Sequence, residues 1–174
     1  KERNWVEEII AKWNSGIDEF ILTTSGSTGL PKQIKLRKEV LIWSAIATKT
    51  SLNLANEPTF CCLPTQKTGG FMQIIRALYF GWEIYLTNPV ANPFSKRKPE
   101  GYSLISLTPM QLQTVLMDNR DYLANFRNVL IGGASISETL REKLVEWNCK
   151  NRNVTFWETY GMTETASHVA LKNI

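Results

Sequence analysis

Ten residues near the start of the chain combine the groups that bind phosphate. The segment 23–32, TTSGSTGLPK, has five hydroxyl side chains, two glycines, a proline and a lysine, and it follows the apolar run 20–22. Glycines allow several backbone amides to point at one anion, hydroxyls add hydrogen-bond donors, and a lysine adds a positive charge. This composition predicts a loop that binds a polyphosphate.

The loop has two alternative interpretations. A Walker-type loop has four residues between its glycines and a Gly-Lys-Ser/Thr end, whereas Gly26 and Gly29 are two residues apart and Gln33 follows Lys32. That spacing excludes the Walker loop. A flexible Ser/Thr/Gly linker has a similar composition. The strand-like run before the loop and the stiff Pro31 near its end favour phosphate binding over a linker.

Three motifs occur in order along the chain: SGSTGLPK at 25–32, LIGGAS at 130–135 and TYGMTET at 159–165. Together they resemble the signature segments of the adenylate-forming enzymes, a family of acyl-CoA and aryl-CoA synthetases, luciferases and peptide-synthetase adenylation domains. The resemblance implies that a carboxylic acid is joined to the α-phosphorus of ATP, that pyrophosphate leaves, and that coenzyme A is the co-substrate. Such a site must screen concentrated negative charge.

The resemblance also assigns roles to individual residues. The residues implied to hold the β and γ phosphates are Ser25, Gly26, Ser27, Thr28 and Lys32. Tyr160 is implied to stack on adenine beside Gly132, Gly133 and Ala134. The resemblance also places Thr24, Gly29 and Gly161 among the residues that bind the nucleotide.

Three residues are implied to act in catalysis. Thr163 would bond the α-phosphate, Glu164 would coordinate Mg²⁺, and Lys32 would neutralise the leaving phosphates. A carboxylate oxygen is the kind of ligand that Mg²⁺ prefers. ATP, Mg²⁺ and coenzyme A are therefore the expected ligands, together with a small carboxylic acid.

The acid is indicated by shorter likenesses. Segments 158–170 and 63–72, the latter leading to 76–78, resemble those of the o-succinylbenzoate-CoA ligases of menaquinone synthesis. The residues placed near the acid on this basis are Lys67, Gly69, Gly70 and His168. Lys67 and His168 are candidate partners for a second, unreacting carboxylate. A solvated lysine and a structural histidine hydrogen bond are the alternatives for these two residues.

The rest of the chain alternates between strand and helix patterns. Helices are predicted at residues 5–13, 38–54, 70–80, 109–117 and 137–147, and strands at 20–24, 33–36, 60–63, 82–87, 103–107, 128–131 and 154–157. This order predicts an α/β fold with a mostly parallel sheet flanked by helices. Ligands bind such sheets at the carboxyl ends of the strands, where all three motifs are expected to fall.

Composition restricts the function further. The 174 residues are 43% apolar, which suits one domain or part of one. The net charge of +4 comes from scattered basic residues, so a nucleic-acid partner is not expected.

Cys61, Cys62 and Cys149 lack zinc spacing and are predicted to be reduced core thiols. No apolar run is long enough for a membrane span, so a cytoplasmic protein without membrane insertion is expected. The sequence gives no indication of oligomeric state.

Adenylate-forming enzymes continue beyond the third motif with a Thr-Gly-Asp segment and a mobile C-terminal domain that carries a lysine. We therefore expect residues 1–174 to form an incomplete nucleotide-binding domain, without the C-terminal domain. On this view the chain alone does not form an acyl-adenylate at a useful rate, because it lacks the Thr-Gly-Asp segment and the C-terminal lysine that would help to position the reactants. The alternatives are another aryl- or acyl-CoA synthetase, an adenylation domain, or a nucleotide-binding module without catalysis.

Overall fold

The structure is a computed structural model that describes residues 2–24 and 31–174. The helices are α1 (Glu2–Asn14), α2 (Lys38–Ser51), α3 (Thr68–Phe80), α4 (Pro109–Asp118) and α5 (Glu138–Lys150), with a 3₁₀ helix at Arg120–Asn125. The strands are β1 (Glu19–Thr24), β2 (Lys32–Arg37), β3 (Thr59–Cys61), β4 (Ile84–Leu86), β5 (Leu104–Leu107), β6 (Asn128–Ile131), β7 (Thr155–Met162) and β8 (Ser167–Asn173). Every helix and strand predicted above is present; the strand at 128–131 has the predicted ends, and the others are shifted at one or both ends.

The strands form two sheets. β1 and β2 pair antiparallel in a hairpin of their own, and the other six strands have the order β4-β3-β5-β6-β7-β8. All neighbours in the larger sheet are parallel except β7 and β8. The predicted mostly parallel sheet is confirmed. The sequence patterns did not predict β8 or the 3₁₀ helix.

Helices cover both faces of the larger sheet, because the strands are apolar on both sides. On one face, α4 and α5 pack over Phe60, Ile105, Val129 and Phe156. On the other face, Leu104 and Leu130 pack with Ala77 of α3 and with Leu52 and Leu54, which follow α2. A further apolar cluster joins the β1–β2 hairpin to α1, α2 and α3. Such burial on both faces is typical of parallel sheets.

Local sequence signals account for two helix starts. The Thr108 hydroxyl accepts from the Gln111 amide and the Gln111 side chain accepts from the Thr108 amide, which is a capping box at the start of α4. The Ser137 hydroxyl accepts from the Leu140 amide with Oγ and N 3.3 Å apart, which confirms Ser137 as the N-cap of α5. Both caps lie just beyond the carboxyl end of a parallel strand.

The amino ends of the parallel strands are held by a buried carboxylate. Glu57 is 2% exposed, and its Oε1 lies 2.9 Å from Nη2 of Arg127. The Ser103 hydroxyl donates to its other oxygen, and the Ala55 amide donates to Oε1. These residues precede β3, β5 and β6, so this network lies at the edge of the sheet opposite the motifs.

The cysteine prediction is right for two residues and wrong for one. Cys61 and Cys62 are buried and form no disulfide among the described residues, and burial raises the pKa of Cys62 well above its usual range. Cys149 forms no disulfide either, but it is exposed on α5. Its place on the helix turns it away from the sheet, which a count of cysteines does not indicate. Among the helices of the described residues, none is long and apolar enough to cross a membrane.

Candidate functional site at the carboxyl edge of the sheet

The β1–β2 hairpin fixes the two ends of the predicted phosphate loop. Thr24 and Lys32 are the last pair of its antiparallel register. The Thr24 hydroxyl donates to the Lys32 carbonyl, with Oγ1 and O 3.5 Å apart. The predicted phosphate ligands Ser25, Gly26, Ser27, Thr28 and Gly29 lie outside the described residues. Lys32 is exposed, so its ammonium group is available to an anion.

The second motif follows β6, as predicted. Gly132 comes directly after the strand and must be glycine, because a Cβ there would lie 2.3 Å from Oγ1 of Thr159. That hydroxyl is fixed, since it donates to the carbonyl of Ile131 at 3.1 Å. Gly133 has φ +86°, and Ala134 is exposed beside it. The close contact with Thr159 of the third motif thus explains why residue 132 is a glycine. The adenine contacts implied for all three residues stay a prediction.

The third motif is a β-hairpin turn and not only a strand end. β7 continues through Tyr160 and Gly161 to Met162, and β8 returns antiparallel from Ser167. A register irregularity separates Tyr160 from Gly161. A Cβ at Gly161 would lie 2.0 Å from the Ser167 carbonyl, so only glycine allows this close return. As predicted, the motif lies at the carboxyl end of a strand, and this strand continues to Met162 instead of ending at residue 157, because β8 pairs with it.

The turn of this hairpin is held from several sides. Ala166 and Ser167 both have positive φ, 54° and 134°, an unusual conformation for residues with side chains. The Ser44 hydroxyl of α2 donates to the Ala166 carbonyl at 2.8 Å. The Thr165 hydroxyl also donates to the carbonyl of Ser167, with the oxygens 2.8 Å apart. These bonds fix the turn that carries Thr163 and Glu164.

Two side chains of the third motif, Tyr160 and Glu164, are exposed to solvent. Tyr160 is 64% exposed although it lies in a strand, which leaves its ring free to stack on a base. Glu164 is exposed in the turn. Thr163 is half-buried, and its Oγ1 lies 2.6 Å from Oγ1 of Thr68 at the start of α3. This hydroxyl pair connects the third motif to α3.

A group of buried polar side chains lies between α3 and β8. Arg76 and Gln73 are buried on α3, one turn apart and therefore on one face of the helix. Nε and Nη1 of Arg76, both side-chain atoms of Gln73 and Nδ1 of His168 have no hydrogen-bond partner among the described residues. Among all residues that the structure describes, no carboxylate forms an ion pair with Arg76. Buried donors without partners are costly and are rare in proteins.

The pKa values reflect this environment. Burial lowers the pKa of Arg76 to about 10, and the neighbouring Cys61 partly opposes that change. The pKa of His168 is lowered to about 3, mainly by burial and to a smaller extent by the positive charge of Arg76. His168 is therefore neutral at pH 7, and the Arg76 guanidinium is the cation of this cluster. An anion placed there would stabilise Arg76 and raise the pKa of His168.

The other residues predicted near the acid surround the start of α3. Lys67 is the exposed N-cap of this helix and makes no side-chain capping bond. Gly69 is exposed and Gly70 is buried in its first turn. A Cβ on Gly70 would lie 2.4 Å from the Pro64 carbonyl, so the chain before α3 passes close to the helix. Lys67 as a ligand of the acid stays a prediction.

Sequence reasoning did not select Arg76 or Gln73 as functional residues. A signal was present, because Arg76 stands inside the apolar helical run FMQIIRALYF at 71–80. A charged residue within a helix that is apolar all round is seldom buried without a partner. That conflict could have identified Arg76 before the fold was known.

The site residues are compatible with a nucleotide and its magnesium ion. Among the described residues, no group of three or more His, Cys, Asp or Glu side chains could hold a metal by itself. Magnesium that is bound with nucleotide phosphates commonly uses only one or two carboxylates of the protein. Glu164 is exposed beside Thr163, and its role as a magnesium ligand stays a prediction.

The fold occurs in solved structures. An acyl-CoA synthetase (AMP-forming)/AMP-acid ligase II-like protein from Dyadobacter fermentans superposes with a TM-score of 0.85 at 34% identity, over 97% of this chain and 47% of that one. An O-succinylbenzoate coenzyme A synthetase from Bacillus subtilis, in complex with ATP and magnesium ion, has the same fold. Its TM-score is 0.72 at 21% identity, over 88% of this chain and 32% of that one. The fold is that of AMP-forming acyl-CoA synthetases.

Residues 18–174 match the model of the family described as AMP-binding enzyme, and the chain belongs to that family. Among curated relatives, a 2-succinylbenzoate–CoA ligase from Listeria monocytogenes is 30% identical over 166 residues, which are 93% of this chain and 34% of that protein. A 2-succinylbenzoate–CoA ligase from a Geobacillus species is 31% identical over 159 residues, or 86% and 30% of the two chains. The chain thus spans about a third of the length of these relatives.

Proposed function

We propose that this chain is the nucleotide-binding part of an ATP-dependent acid–CoA ligase. The ligase activates a carboxylic acid as its acyl-adenylate and then transfers the acyl group to coenzyme A. The acid is 2-succinylbenzoate, for menaquinone synthesis. The observation that carries this choice is the buried guanidinium of Arg76, which has Nε and Nη1 without partners beside Gln73 and His168.

The nucleotide side of the proposal rests on the carboxyl edge of the sheet. Lys32, at the end of the hairpin, would hold the outer phosphates, and Thr163 would donate to the α-phosphate. Tyr160 is exposed at the same edge and would stack on adenine. Glu164 would hold Mg²⁺, which neutralises phosphate charge when bound. The relatives' names support this assignment, and one solved relative is in complex with ATP and magnesium ion.

The acid side rests on the length and orientation of α3. Thr68 at its first turn contacts Thr163, whereas Arg76 lies eight residues later, or about 12 Å along the helix axis. A small acid with two carboxylates could span this distance with a hydrogen bond at each end. One carboxylate would react near Thr163, and the other would neutralise Arg76. A neutral His168 could donate one further hydrogen bond.

The proposed domain organisation rests on the share of the relatives' length that this chain covers. Because it spans about a third of their length, we propose that residues 1–174 are part of a larger domain in a longer protein. Further segments would supply the remaining contacts to ribose and to the reacting carboxylate. The 174 residues alone would then bind nucleotide weakly and turn over slowly, because positioning of the reactants is incomplete.

The test uses the full-length gene product, meaning the complete protein encoded by the gene that contains this chain. Acid-dependent ATP–pyrophosphate exchange is measured with a panel of carboxylic acids. The panel pairs 2-succinylbenzoate with 4-oxo-4-phenylbutanoate, which keeps the reacting carboxylate and lacks the one on the ring. It also includes benzoate and fatty acids of several lengths.

We expect exchange with 2-succinylbenzoate and a KM at least tenfold higher for the analogue without the ring carboxylate, since a charge-assisted hydrogen bond is lost. Equal KM values for the pair would overturn the choice of acid but leave a ligase. Strong exchange with benzoate or a fatty acid would indicate another acyl-CoA synthetase. Nucleotide binding without exchange for any acid would favour a binding module and reject the enzyme.

A further inference from the structure

The contact between Thr68 and Thr163 joins two parts of the site that are 95 residues apart in sequence. Their hydroxyl oxygens are 2.6 Å apart, which is a short O–H···O distance. Both residues are half-buried, so the bond is partly shielded from competing water. Thr68 is the first residue of α3, and its side chain does not cap that helix.

We propose that Thr68 is a positioning residue for adenylation, with its hydroxyl donating to Oγ1 of Thr163 so that the Thr163 hydroxyl donates to the α-phosphate. This inference rests on the proposed function. It assigns a role to a residue outside the three nucleotide motifs.

The donor capacity of two hydroxyls supports this direction of the bond. Each hydroxyl has one hydrogen to donate and two lone pairs that accept. If Thr163 donated to Thr68, it would have no hydrogen left for a phosphate oxygen. When Thr68 donates, the Thr163 hydrogen is free and its rotation is restricted. A chain of two such bonds also polarises the outer donor, which strengthens its bond to an anion.

The surroundings explain why the Thr163 hydroxyl needs such support. Thr163 lies in the turn between β7 and β8, which is fixed by Thr165 and by Ser44 of α2 through backbone carbonyls. Those bonds fix the main chain of the turn. They do not set the rotation of the Thr163 side chain. The bond from Thr68 sets that rotation.

The variant Thr68→Val removes the hydroxyl at nearly constant size. Acid-dependent pyrophosphate exchange in the full-length gene product should show kcat lowered about tenfold, because a bond that strengthens as charge moves to the α-phosphate is lost. The KM for ATP should change less than about twofold, since other contacts hold the nucleotide. Thr68→Ser keeps the hydroxyl and should restore kcat.

Two controls separate positioning from a structural role. Thr114→Val makes the same change on α4, where the hydroxyl donates to the Met110 carbonyl at 3.1 Å, and kcat should stay normal. A double-mutant cycle with Thr163→Val shows whether Thr68 acts through Thr163. In the Thr163→Val background, Thr68→Val should lower kcat no further. If Thr68→Val does not yield folded protein, Thr68→Ala replaces it in the same cycle.

Additive losses in the cycle, or a Thr68→Ser variant as slow as Thr68→Val, would overturn the inference. The same holds if Thr68→Val matches Thr114→Val in every parameter while the wild type is active. A wild-type protein without exchange for any acid would instead overturn the proposed function, and this inference with it.

Discussion

Replacing Arg76 by Met should make the ligand-free protein more stable and its acid binding much weaker. Methionine keeps much of the apolar bulk of the arginine stem and removes the guanidinium. In the present structure that guanidinium is 2% exposed, and its Nε and Nη1 lack hydrogen-bond partners. The variant therefore separates what the residue does for the fold from what it does for a ligand.

The gain in stability can be worked from the charge. Burial lowers the pKa of Arg76 to about 10, and at about 1.4 kcal/mol per pKa unit this corresponds to roughly 3 kcal/mol of unfavourable burial. Part of this gain is lost, because methionine does not fill the whole space. We expect the free energy of unfolding to rise by about 1 to 3 kcal/mol, or the melting temperature by about 3 to 8 °C.

The loss of acid binding follows from the same group. A hydrogen bond to a charged group contributes about 1.5 to 3 kcal/mol, so the KM for 2-succinylbenzoate should rise roughly 10- to 150-fold. The KM for 4-oxo-4-phenylbutanoate should hardly change, since that acid has no ring carboxylate for Arg76. The assay is pyrophosphate exchange by the full-length gene product, with thermal melts on the same samples.

Two further variants make the comparison specific. Arg120→Met removes an arginine whose side chain is 69% exposed, and it should change neither stability nor KM appreciably. Lys67→Met tests the other candidate cation, which is exposed at the start of α3. A raised KM in Lys67→Met together with a normal KM in Arg76→Met would assign the carboxylate to Lys67. An Arg76→Met protein that is less stable and binds the acid normally would refute the reasoning, because Arg76 would then be structural.

Three other perturbations test separate parts of the structure. Because folding lowers the pKa of His168 to about 3, the unfolded chain binds a proton near pH 6.5 that the native one does not. Stability should therefore fall as pH drops below about 6.5, by up to about 1.4 kcal/mol per pH unit, and thermal melts of His168→Gln should show a smaller slope. Gly132→Ala should destabilise by about 1 to 3 kcal/mol in chemical denaturation, because its Cβ would lie 2.3 Å from Oγ1 of Thr159. Adding Thr159→Ala should recover part of that loss, and no recovery would contradict the proposed clash. Glu57→Gln should lower stability by about 1 to 3 kcal/mol, because it weakens the bond to Arg127, and leave the KM for ATP unchanged. A changed KM would show that this distant edge influences the site.

Much of the fold could be predicted because its signals are local. Ser137 and its helix, the apolar strands and the carboxyl-edge position of Gly132 follow from short patterns in neighbouring residues. The strand β8 was not predicted, since only Ser167 in it is buried and its exposed positions do not alternate with buried ones. Cys149 was placed in the core wrongly, because residue type alone does not show which side of α5 it occupies.

The sequence by itself determined the three nucleotide motifs, their order and the helices and strands that carry them. Only the tertiary structure decided which polar groups meet between α3 and β8. Arg76 and His168 belong to different elements, α3 and β8, and they interact because α3 packs against the sheet edge that β8 forms. Thr68 and Thr163 meet for the same reason. The physical cause is that periodicity and spacing report on neighbours along the chain, whereas burial and the loss of hydrogen-bond partners arise only when distant elements pack together.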